Sequence, residues 1–585
     1  MKLEKKELFS KLALSTLLLG SFVTSIYAET PPGKYCNTAS ACLDPMVTHA
    51  AVTTPNYLAT QAAIETLQRG GNAVDAAISA ASTLAVVYPQ MNTIGGDNFW
   101  LIYNAKTKEV KALNASGRAG ENVSIDFYKS KGYDKIPNRG YLSANTVPGI
   151  VSGWDEAYKY ASKSMTNKGL PWKELFNKSI LYASEGFAVT PSLARWQAIN
   201  TDTKDSITRN LQRFDEFKHV YLKEDGSPYQ VGEILKQPDL SKTLKLIANK
   251  GAKEFYEGSI AKAIVKDLKE NGGVLTLNDF KQHTADWVDP LSIKYRQYTA
   301  YNLPPNTQGM ASLEILNILN NFDLSSIPEG SADYYHLMTE ATKEAFIDRD
   351  KYLTDPTFSP IPLDFLLSEQ HGKDQSERID MNKTAGKNPP LEPKGDTIWL
   401  GVVDKDGNAV SLIQSIYWDF GSAIVAKGTG VLLQNRGSFF SLNPNNVNHL
   451  EPKKRTFHTL NAAMMLDKNN QPILIYGTMG GEGQPQTQAA IATRVIDYGM
   501  SVQDAVAAPR WLYGRTWGSE SNSLKLEGRI SQDVVQALKD KGQPIEVLDE
   551  YTDTMGHAGA ISINQDTGII SAATDPRSDG LAAGY

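Results

Sequence analysis

The stretch that decides the fold is KGDTIWLGVVDKDGNAVS, residues 394–411. Two apolar runs flank a polar turn at Asp406 and Gly407, a pattern that predicts a β-hairpin. The first run starts abruptly on Thr397, directly after SERIDMNKTAGKNPPLEPKGD (376–396), which has prolines and no apolar periodicity. Such composition predicts an exposed, mobile loop. The sequence therefore predicts a strand that begins where an exposed loop ends, far into the chain.

Two further hairpins are predicted in the last third of the chain. NAAMMLDKNNQPILIYGTMGG (461–481) and HAGAISINQDTGIISAATDP (557–576) each place two apolar runs around a polar turn. Helical patterns at 486–499 and 531–542 lie between them. Strands therefore pair with sequence neighbours, which favours stacked antiparallel sheets flanked by helices over alternating βαβ units.

The earlier part of the chain has a different pattern. Residues 60–92 predict two helices separated at Gly70 and Gly71, with Asn72 as the cap of the second helix. Residues 93–113 predict two strands joined by a polar turn, and residues 150–390 are expected to be mostly helical.

Composition and missing motifs exclude several functional classes. The chain has 585 residues, of which 41% are hydrophobic and 21% charged, and its net charge is −6, so it lacks the basic character that nucleic-acid binding requires. A P-loop, a GxGxxG fingerprint, a GxSxG elbow, an HExxH motif and a CxxC pair are all missing from the sequence. We therefore expect no metal and no organic cofactor.

The N-terminus has the layout of a secretory signal peptide. Lysines precede the apolar run LALSTLLLGSFVTSIYA (12–28), and Ala28 is a suitable small residue before a cleavage point. The alternative, an uncleaved membrane anchor, needs a longer apolar run of about 20 residues. We expect residues 1–28 to be removed and the protein to be exported, periplasmic or secreted. Cys36 and Cys42 could then form a small disulfide loop or stay free.

Thr397 is the strongest candidate for a reactive group. A threonine hydroxyl is a poor nucleophile unless a base lies beside it, and a threonine at a chain start carries its own α-amine, whose pKa of about 7.7–8.0 suits that task. Attack of the hydroxyl on the Asp396 carbonyl would cut the chain and create this terminus in one event. On pattern alone, a β-branched residue that opens a strand is the better explanation of Thr397, because threonine is enriched in strands.

Three ordered motifs resemble the γ-glutamyltransferase family of self-processing N-terminal-nucleophile hydrolases. They are GGNAVDAAISAASTLAVVYPQMNTIGGDNFW (70–100), GDTIWLGVVDKDGNAVSLIQSIYWDFGS (395–422) and GTMGGEGQPQTQ (477–488). The resemblance covers nearly the whole chain beyond the signal segment. It implies an α+β fold, a four-layer αββα sandwich, built as one domain from a large chain (29–396) and a small chain (397–585) that stay associated as a heterodimer.

The resemblance also implies roles for individual residues. Thr397 would be the nucleophile, released by cleavage of the Asp396–Thr397 bond. Gly480 and Gly481 would bind the oxyanion through their backbone N–H groups. Ser415 stands where the family often has a second threonine that hydrogen-bonds the nucleophile.

The predicted substrate pocket departs from the family pattern. Phe439 stands where typical members use an aspartate to hold the substrate's α-ammonium, and an apolar wall cannot replace that charged acceptor. The candidate substrate-binding residues, each open to a purely structural interpretation, are Arg118, Asn435, Arg436, His458 and Thr459. Arg436 stands where many relatives have glutamine, and His458 and Thr459 stand where they have two serines. These features resemble the branch of oxamate amidohydrolase and cephalosporin-acylase-like enzymes.

The sequence thus predicts a self-processing threonine amidohydrolase or acyltransferase that cleaves a small anionic amide through an acyl-enzyme. Three alternatives remain at this stage. They are a true γ-glutamyltransferase or glutathione hydrolase, an oxamate amidohydrolase, and a non-catalytic binding protein on the same scaffold.

Overall fold

The computed structural model describes residues 44–204, 208–386, 396–514 and 522–585. The predicted signal peptide, Cys36, Cys42 and residues 387–395 of the predicted cleavage loop lie outside the described residues. Among the described residues, no helix has both the length and the apolar character needed to cross a bilayer.

Strands form two large antiparallel sheets and three small ones. In chain order they are β1 Met46–Val47, β2 Ala51–Thr54, β3 Asp97–Asn104, β4 Glu109–Ala115, β5 Phe187–Ala188, β6 Ile234–Leu235, β7 Asp286–Val288, β8 Leu291–Tyr295, β9 Tyr298–Asn302, β10 Asp396–Val403, β11 Ala409–Tyr417, β12 Val425–Ala426, β13 Val431–Leu432, β14 Ala463–Leu466, β15 Pro472–Thr478, β16 Trp511–Tyr513, β17 Leu524–Glu527, β18 Ile545–Leu548, β19 Ala558–Ile563, β20 Ile570–Thr574 and β21 Leu581–Gly584.

Helices cover the outer faces of the large sheets and fill the long segments between strands. They are α1 Tyr57–Gln68, α2 Ala73–Val87, α3 Ile125–Ser130, α4 Ile150–Ser164, α5 Asn177–Glu185, α6 Pro191–Asn200, α7 Asp215–Tyr221, α8 Pro238–Lys250, α9 Lys253–Tyr256, α10 Ser259–Glu270, α11 Leu277–Gln282, α12 Gly309–Leu319, α13 Ala332–Tyr352, α14 Leu363–Leu366, α15 Glu369–Ser376, α16 Gln484–Ile496, α17 Val502–Ala507 and α18 Gln532–Asp540.

The two large sheets have seven strands each among the described residues. The order in the first sheet is β21-β2-β10-β11-β3-β4-β7, and in the second it is β1-β20-β19-β15-β14-β9-β8. The hairpin of β10 and β11, predicted from residues 394–411, lies in the middle of the first sheet. Thr397, the second residue of β10, therefore lies on a central strand.

Alternating side chains on the first sheet explain the layers. On β3, Phe99 belongs to the apolar cluster between the two sheets, whereas Trp100 belongs to the cluster under the helices that include α1 and α2. On β10, Trp399 faces the second sheet and Leu400 faces the helices in the same way. A strand buried on both faces reads as a continuous apolar run, and the period-two alternation divides that run between two cores.

The second sheet is covered on its outer face by other helices. Residues of β14 and β15 share an apolar cluster with α12, α13 and α16. The order of layers is therefore helix, sheet, sheet, helix, which confirms the predicted αββα sandwich.

The three predicted hairpins of the last third and both helices between them are present. The two helices predicted in 60–92 are present as well, and Asn72 caps the second one in a reciprocal capping box with Asp75. The interpretation of 150–390 as mostly helical overlooked the hairpin of β8 and β9, an edge of the second sheet. Its short strands lie between helical segments and alternate weakly, so local pattern did not separate them.

Candidate active site

Thr397 lies at an irregularity between β10 and β11. Asp396 pairs with Tyr417 and Ile398 pairs with Gln414, so the register shifts at Thr397. Pairing of β10 with β2 begins only at Gly401, so the start of β10 has a strand on one side only. Bulges of this kind are over-represented next to active sites.

The Thr397 hydroxyl is buried and unpaired in the continuous chain. Its side chain has no solvent exposure, and within the described residues Oγ1 has no hydrogen-bond partner. The Ser415 hydroxyl accepts a hydrogen bond from the N–H of Tyr417 at 2.8 Å. The predicted hydrogen bond between the two hydroxyls is thus not formed in the uncut chain, and that role of Ser415 stays a prediction.

Gly480 and Gly481 follow the end of β15 and start a short 3₁₀ turn before α16. Gly480 has φ of 120°, a conformation that glycine adopts without steric cost. Among the described residues, no acceptor takes a hydrogen bond from the N–H of Gly480 or Gly481. Two unused N–H groups at the start of a helical segment suit an oxyanion.

The indole of Trp399 connects the nucleophile strand to the glycine strand. It fits where Gly477 lacks a side chain, because a Cβ there would lie 2.2 Å from Trp399 Cδ1. Trp399 Nε1 donates to Ser411 Oγ at 2.9 Å, which fixes the ring. Trp399 is two residues from Thr397 and Gly477 three from Gly480, so this contact sets the spacing of the two reactive elements.

Arg436 is the most unusual charged group of the site. Its side chain is almost fully buried, with its guanidinium carbon 4.2 Å from the centroid of the Tyr417 ring. Nη1 donates to Thr459 Oγ1 at 3.3 Å, whereas within the described residues Nε and Nη2 have no partner. Burial lowers the pKa of Arg436 to about 10, which still leaves it charged at neutral pH. A buried guanidinium with two free donors is suited to bind a carboxylate.

His458 and Asp97 form a buried pair next to Arg436. His458 Nε2 lies 3.2 Å from Asp97 Oδ2, and both residues are buried. Burial raises the pKa of Asp97 to about 6. Hydrogen bonds to Oδ1 oppose that rise, and they come from the Gln434 side chain and the Gly117 N–H, each at 2.9 Å. Burial and the charge of Arg436 hold the pKa of His458 well below its usual value, so the ring is neutral.

Gln308 links Thr459 to Gly481 through two hydrogen bonds. Its Nε2 donates to the Thr459 carbonyl at 2.7 Å and to the Gly481 carbonyl at 2.8 Å. Its Oε1 accepts from Arg349 Nη1 at 3.1 Å. A chain of contacts therefore runs from Arg436 through Thr459 and Gln308 to Gly481.

Phe439 contributes to an aromatic wall of the same site. Its ring is edge-on to Tyr417 at 5.6 Å and to Phe457 at 4.6 Å between centroids. Because Tyr417 also stacks on Arg436, this wall borders the guanidinium.

Asn435 and Arg118 are engaged elsewhere. The Asn435 side chain accepts from the Trp418 N–H at 3.1 Å and donates to the Asn138 carbonyl at 2.8 Å, so it ties two loops together. Arg118 donates to Asp286 Oδ2 at 2.7 Å, an oxygen that Arg455 shares. Of the two candidate arginines, only Arg436 keeps buried donors unpaired among the described residues, since the Arg118 side chain is partly exposed to solvent.

Sequence reasoning missed Asp97, Tyr417 and Gln308. Asp97 begins an apolar strand directly after a glycine pair, and an acidic residue in that position signals a buried polar contact. Neither Tyr417 nor Gln308 carries such a signal, because their roles arise from contacts across the fold.

Comparisons with known proteins identify the family of this chain. The family model described as Gamma-glutamyltranspeptidase matches residues 59–585. The chain is 46% identical over 538 residues to the glutathione hydrolase-like YwrD proenzyme of Bacillus subtilis, a match that covers 92% of this chain and 98% of that protein. It is 41% identical over 543 residues to the oxamate amidohydrolase proenzyme of Klebsiella pneumoniae, covering 92% and 99%.

A solved structure shares the fold over nearly its whole length. The cephalosporin acylase from Bacillus halodurans superposes with a TM-score of 0.84 at 35% identity, covering 93% of this chain and 97% of that one. A match of this extent sets aside the non-catalytic alternative, since these relatives are named as enzymes. The chain belongs to the gamma-glutamyltranspeptidase family and is an N-terminal-nucleophile amidohydrolase.

Proposed function

We propose that Thr397 is the nucleophile and that the enzyme cleaves small amides that carry a carboxylate and lack an α-ammonium group. The observation that carries the substrate class is Arg436, a buried guanidinium with two unpaired donors beside an aromatic wall that includes Phe439. A carboxylate would satisfy both donors in a bidentate pair. The carboxylate of Asp97, which lies near Arg436, is already occupied by His458, Gln434 and the Gly117 N–H.

Processing would precede catalysis. The Thr397 hydroxyl attacks the Asp396 carbonyl carbon, the peptide C–N bond breaks, and the hydroxyl proton ends on the freed amine. Water then hydrolyses the resulting ester and leaves a carboxylate on Asp396 and a free N-terminus on Thr397. The products are a large chain, about 29–396 after signal removal, and a small chain, 397–585, held together as a heterodimer.

In the catalytic cycle the α-amine of Thr397 takes the hydroxyl proton. The hydroxyl attacks the substrate amide, and the N–H groups of Gly480 and Gly481 stabilise the oxyanion. The amine product leaves, and water or a second amine resolves the acyl-enzyme. The apolar segment 12–28 supports export to the periplasm or the medium.

A second candidate function is transfer or hydrolysis of γ-glutamyl groups. It is favoured by the similarity to the glutathione hydrolase-like YwrD proenzyme and by the 32% identity over 604 residues to the glutathione hydrolase proenzyme of Escherichia coli. In that case a γ-glutamyl ammonium would have to be bound near Phe439 without a carboxylate partner, at a cost that a cation–π contact of about 0.5–2 kcal/mol recovers only in part.

Mass spectrometry of the purified protein tests the nucleophile. We expect two chains, the smaller one beginning at Thr397, and a single chain for Thr397→Ala. A conservative control, Thr397→Ser, keeps a hydroxyl and should process, more slowly. A wild-type chain that stays intact under all conditions would overturn the proposal.

Turnover of a substrate panel tests the substrate class. We expect the processed enzyme to prefer oxamate and glutaryl amides over γ-glutamyl-p-nitroanilide and glutathione. Equal or better turnover of the γ-glutamyl compounds would select the second candidate.

A further inference from the structure

The second nitrogen of His458 has no partner and no role in the function proposed above. Among the described residues, Nδ1 of this buried ring makes no hydrogen bond. A buried polar atom without a partner costs free energy, so a ligand that supplies the missing hydrogen bond is bound preferentially. Whether that ligand must donate or accept the hydrogen bond depends on whether Nδ1 carries a proton.

Contacts around Asp97 decide where the proton lies. Gln434 Nε2 and the Gly117 N–H donate to Oδ1, and only His458 Nε2 contacts Oδ2 among the described side chains. Burial raises the pKa of Asp97 to about 6, and the positive charge of Arg436 opposes that rise, so the carboxylate is mostly ionised at pH 7 and above. An ionised carboxylate can only accept, so the neutral imidazole must present its N–H at Nε2 and a bare lone pair at Nδ1.

We infer that Asp97 is a positioning residue that fixes the tautomer of His458, so that Nδ1 accepts a hydrogen bond from an N–H of the substrate. This inference rests on the proposed function. It narrows the proposed substrate class to carboxylate-bearing amides with a neutral N–H group close to the carboxylate. Arg436 binds the carboxylate and His458 selects the N–H. A charged ammonium is a poorer fit, because it needs several acceptors and a single lone pair supplies one.

The substitution Asp97→Asn reverses the tautomer. The amide oxygen of the new side chain can keep the hydrogen bonds from Gln434 and Gly117, and its NH₂ group then donates to His458 Nε2. The imidazole proton moves to Nδ1, which changes from acceptor to donor. The shape of the site is nearly unchanged, whereas its preference for a substrate N–H is inverted.

The test compares two nearly isosteric substrates, N-methyloxamate, which has one N–H, and the monomethyl ester of oxalate, which has an oxygen in its place. The ratio of kcat/KM for amide over ester is measured for the wild type and for Asp97→Asn, so that the intrinsic reactivity of the ester cancels between the proteins. We expect the ratio to fall about tenfold or more in the variant. As a matched control, Asp286→Asn also removes a negative charge and should leave the ratio within about twofold, because Asp286 contacts Arg118 and Arg455 rather than His458.

A spectroscopic measurement keeps the inference testable if the variant is inactive. In protein labelled with ¹⁵N-histidine, the signals of His458 are assigned by their loss in His458→Gln. We expect the unprotonated nitrogen to be Nδ1 in the wild type, and a protonated Nδ1 there would overturn the inference. An unchanged amide-to-ester ratio in a processed, active Asp97→Asn enzyme would do the same. A wild-type protein that does not cleave itself would instead refute the proposed function.

Discussion

At the scale of single residues, the site is a set of buried polar atoms without protein partners. Thr397 Oγ1, Arg436 Nε and Nη2, and His458 Nδ1 are all of this kind among the described residues. Buried polar groups are nearly always paired in folded proteins, so unpaired ones on the candidate site residues are available to the polar groups of a ligand.

Replacing Arg436 by lysine should separate binding from chemistry. A lysine keeps the charge but cannot form the bidentate pair, so we expect KM for an anionic amide to rise about 10–100-fold with a smaller change in kcat. Steady-state kinetics on the processed enzyme measures this. Arg118→Lys is the matched control, since Arg118 is already paired with Asp286, and its KM should change less than about threefold. A larger rise in KM for Arg118→Lys than for Arg436→Lys would instead show that Arg118 binds the substrate carboxylate.

Asp97 should make stability depend on pH in a defined direction. Burial raises its pKa from 3.8 to about 6, so the folded state holds the proton more tightly than the unfolded state does. Its stabilising contribution is full below about pH 4 and is lost as the pH rises through about 6, by up to roughly 3 kcal/mol for a shift of this size. The unfolding free energy of Asp97→Asn relative to wild type should therefore increase between about pH 4 and pH 7. A constant difference across that range would contradict the raised pKa.

At the scale of elements, the side chain of Trp399 packs between β10, which carries Thr397, and β15, which precedes Gly480 and Gly481. Trp399 on β10 occupies the space that Gly477 on β15 and Gly559 on β19 leave open, with Cβ positions that would lie 2.2 Å and 2.6 Å from ring atoms. The spacing between Thr397 and the Gly480–Gly481 turn thus depends on a contact between the two sheets.

Gly477→Ala should overfill this contact. We expect a loss of about 1–3 kcal/mol in the unfolding free energy and slower appearance of the two chains, because the start of β10 is displaced. Denaturant unfolding and a time course on denaturing gels measure the two effects. Adding Trp399→Leu to the same chain should restore part of both losses, and a lack of any rescue would place the origin of the defect elsewhere.

At the scale of the whole molecule, strands from the two sides of the proposed cut alternate within both sheets. In the first sheet β2 lies between β21 and β10, and β11 lies beside β3. In the second sheet β20 lies next to β1, and β14 next to β9. Neither predicted chain holds a complete sheet, so each depends on the other for its backbone hydrogen bonds.

The two chains should therefore stay together after cleavage. We expect them to co-elute in size-exclusion chromatography at every denaturant concentration below the unfolding transition, and to separate only within it. Detection on denaturing gels distinguishes the chains. Separation of native-like chains well before the transition would contradict the interleaved topology.

The local sequence pattern predicts the three late hairpins, the capped helix after Asn72 and a strand that starts within one residue of Thr397, and the ordered motifs imply the αββα class. The local features follow from local pattern, because the period of apolar residues and the chemistry of turns act over a few neighbouring residues. Long-range packing, which local pattern does not encode, buries the Arg436 guanidinium and leaves two of its donors unpaired, whereas the Arg118 side chain stays partly exposed. It also paired Asp97 with His458 across 361 positions of chain and joined Thr459 to Gly481 through Gln308. The short strands β8 and β9 were missed for the same reason, since burial and pairing with distant residues, not local alternation, stabilise them.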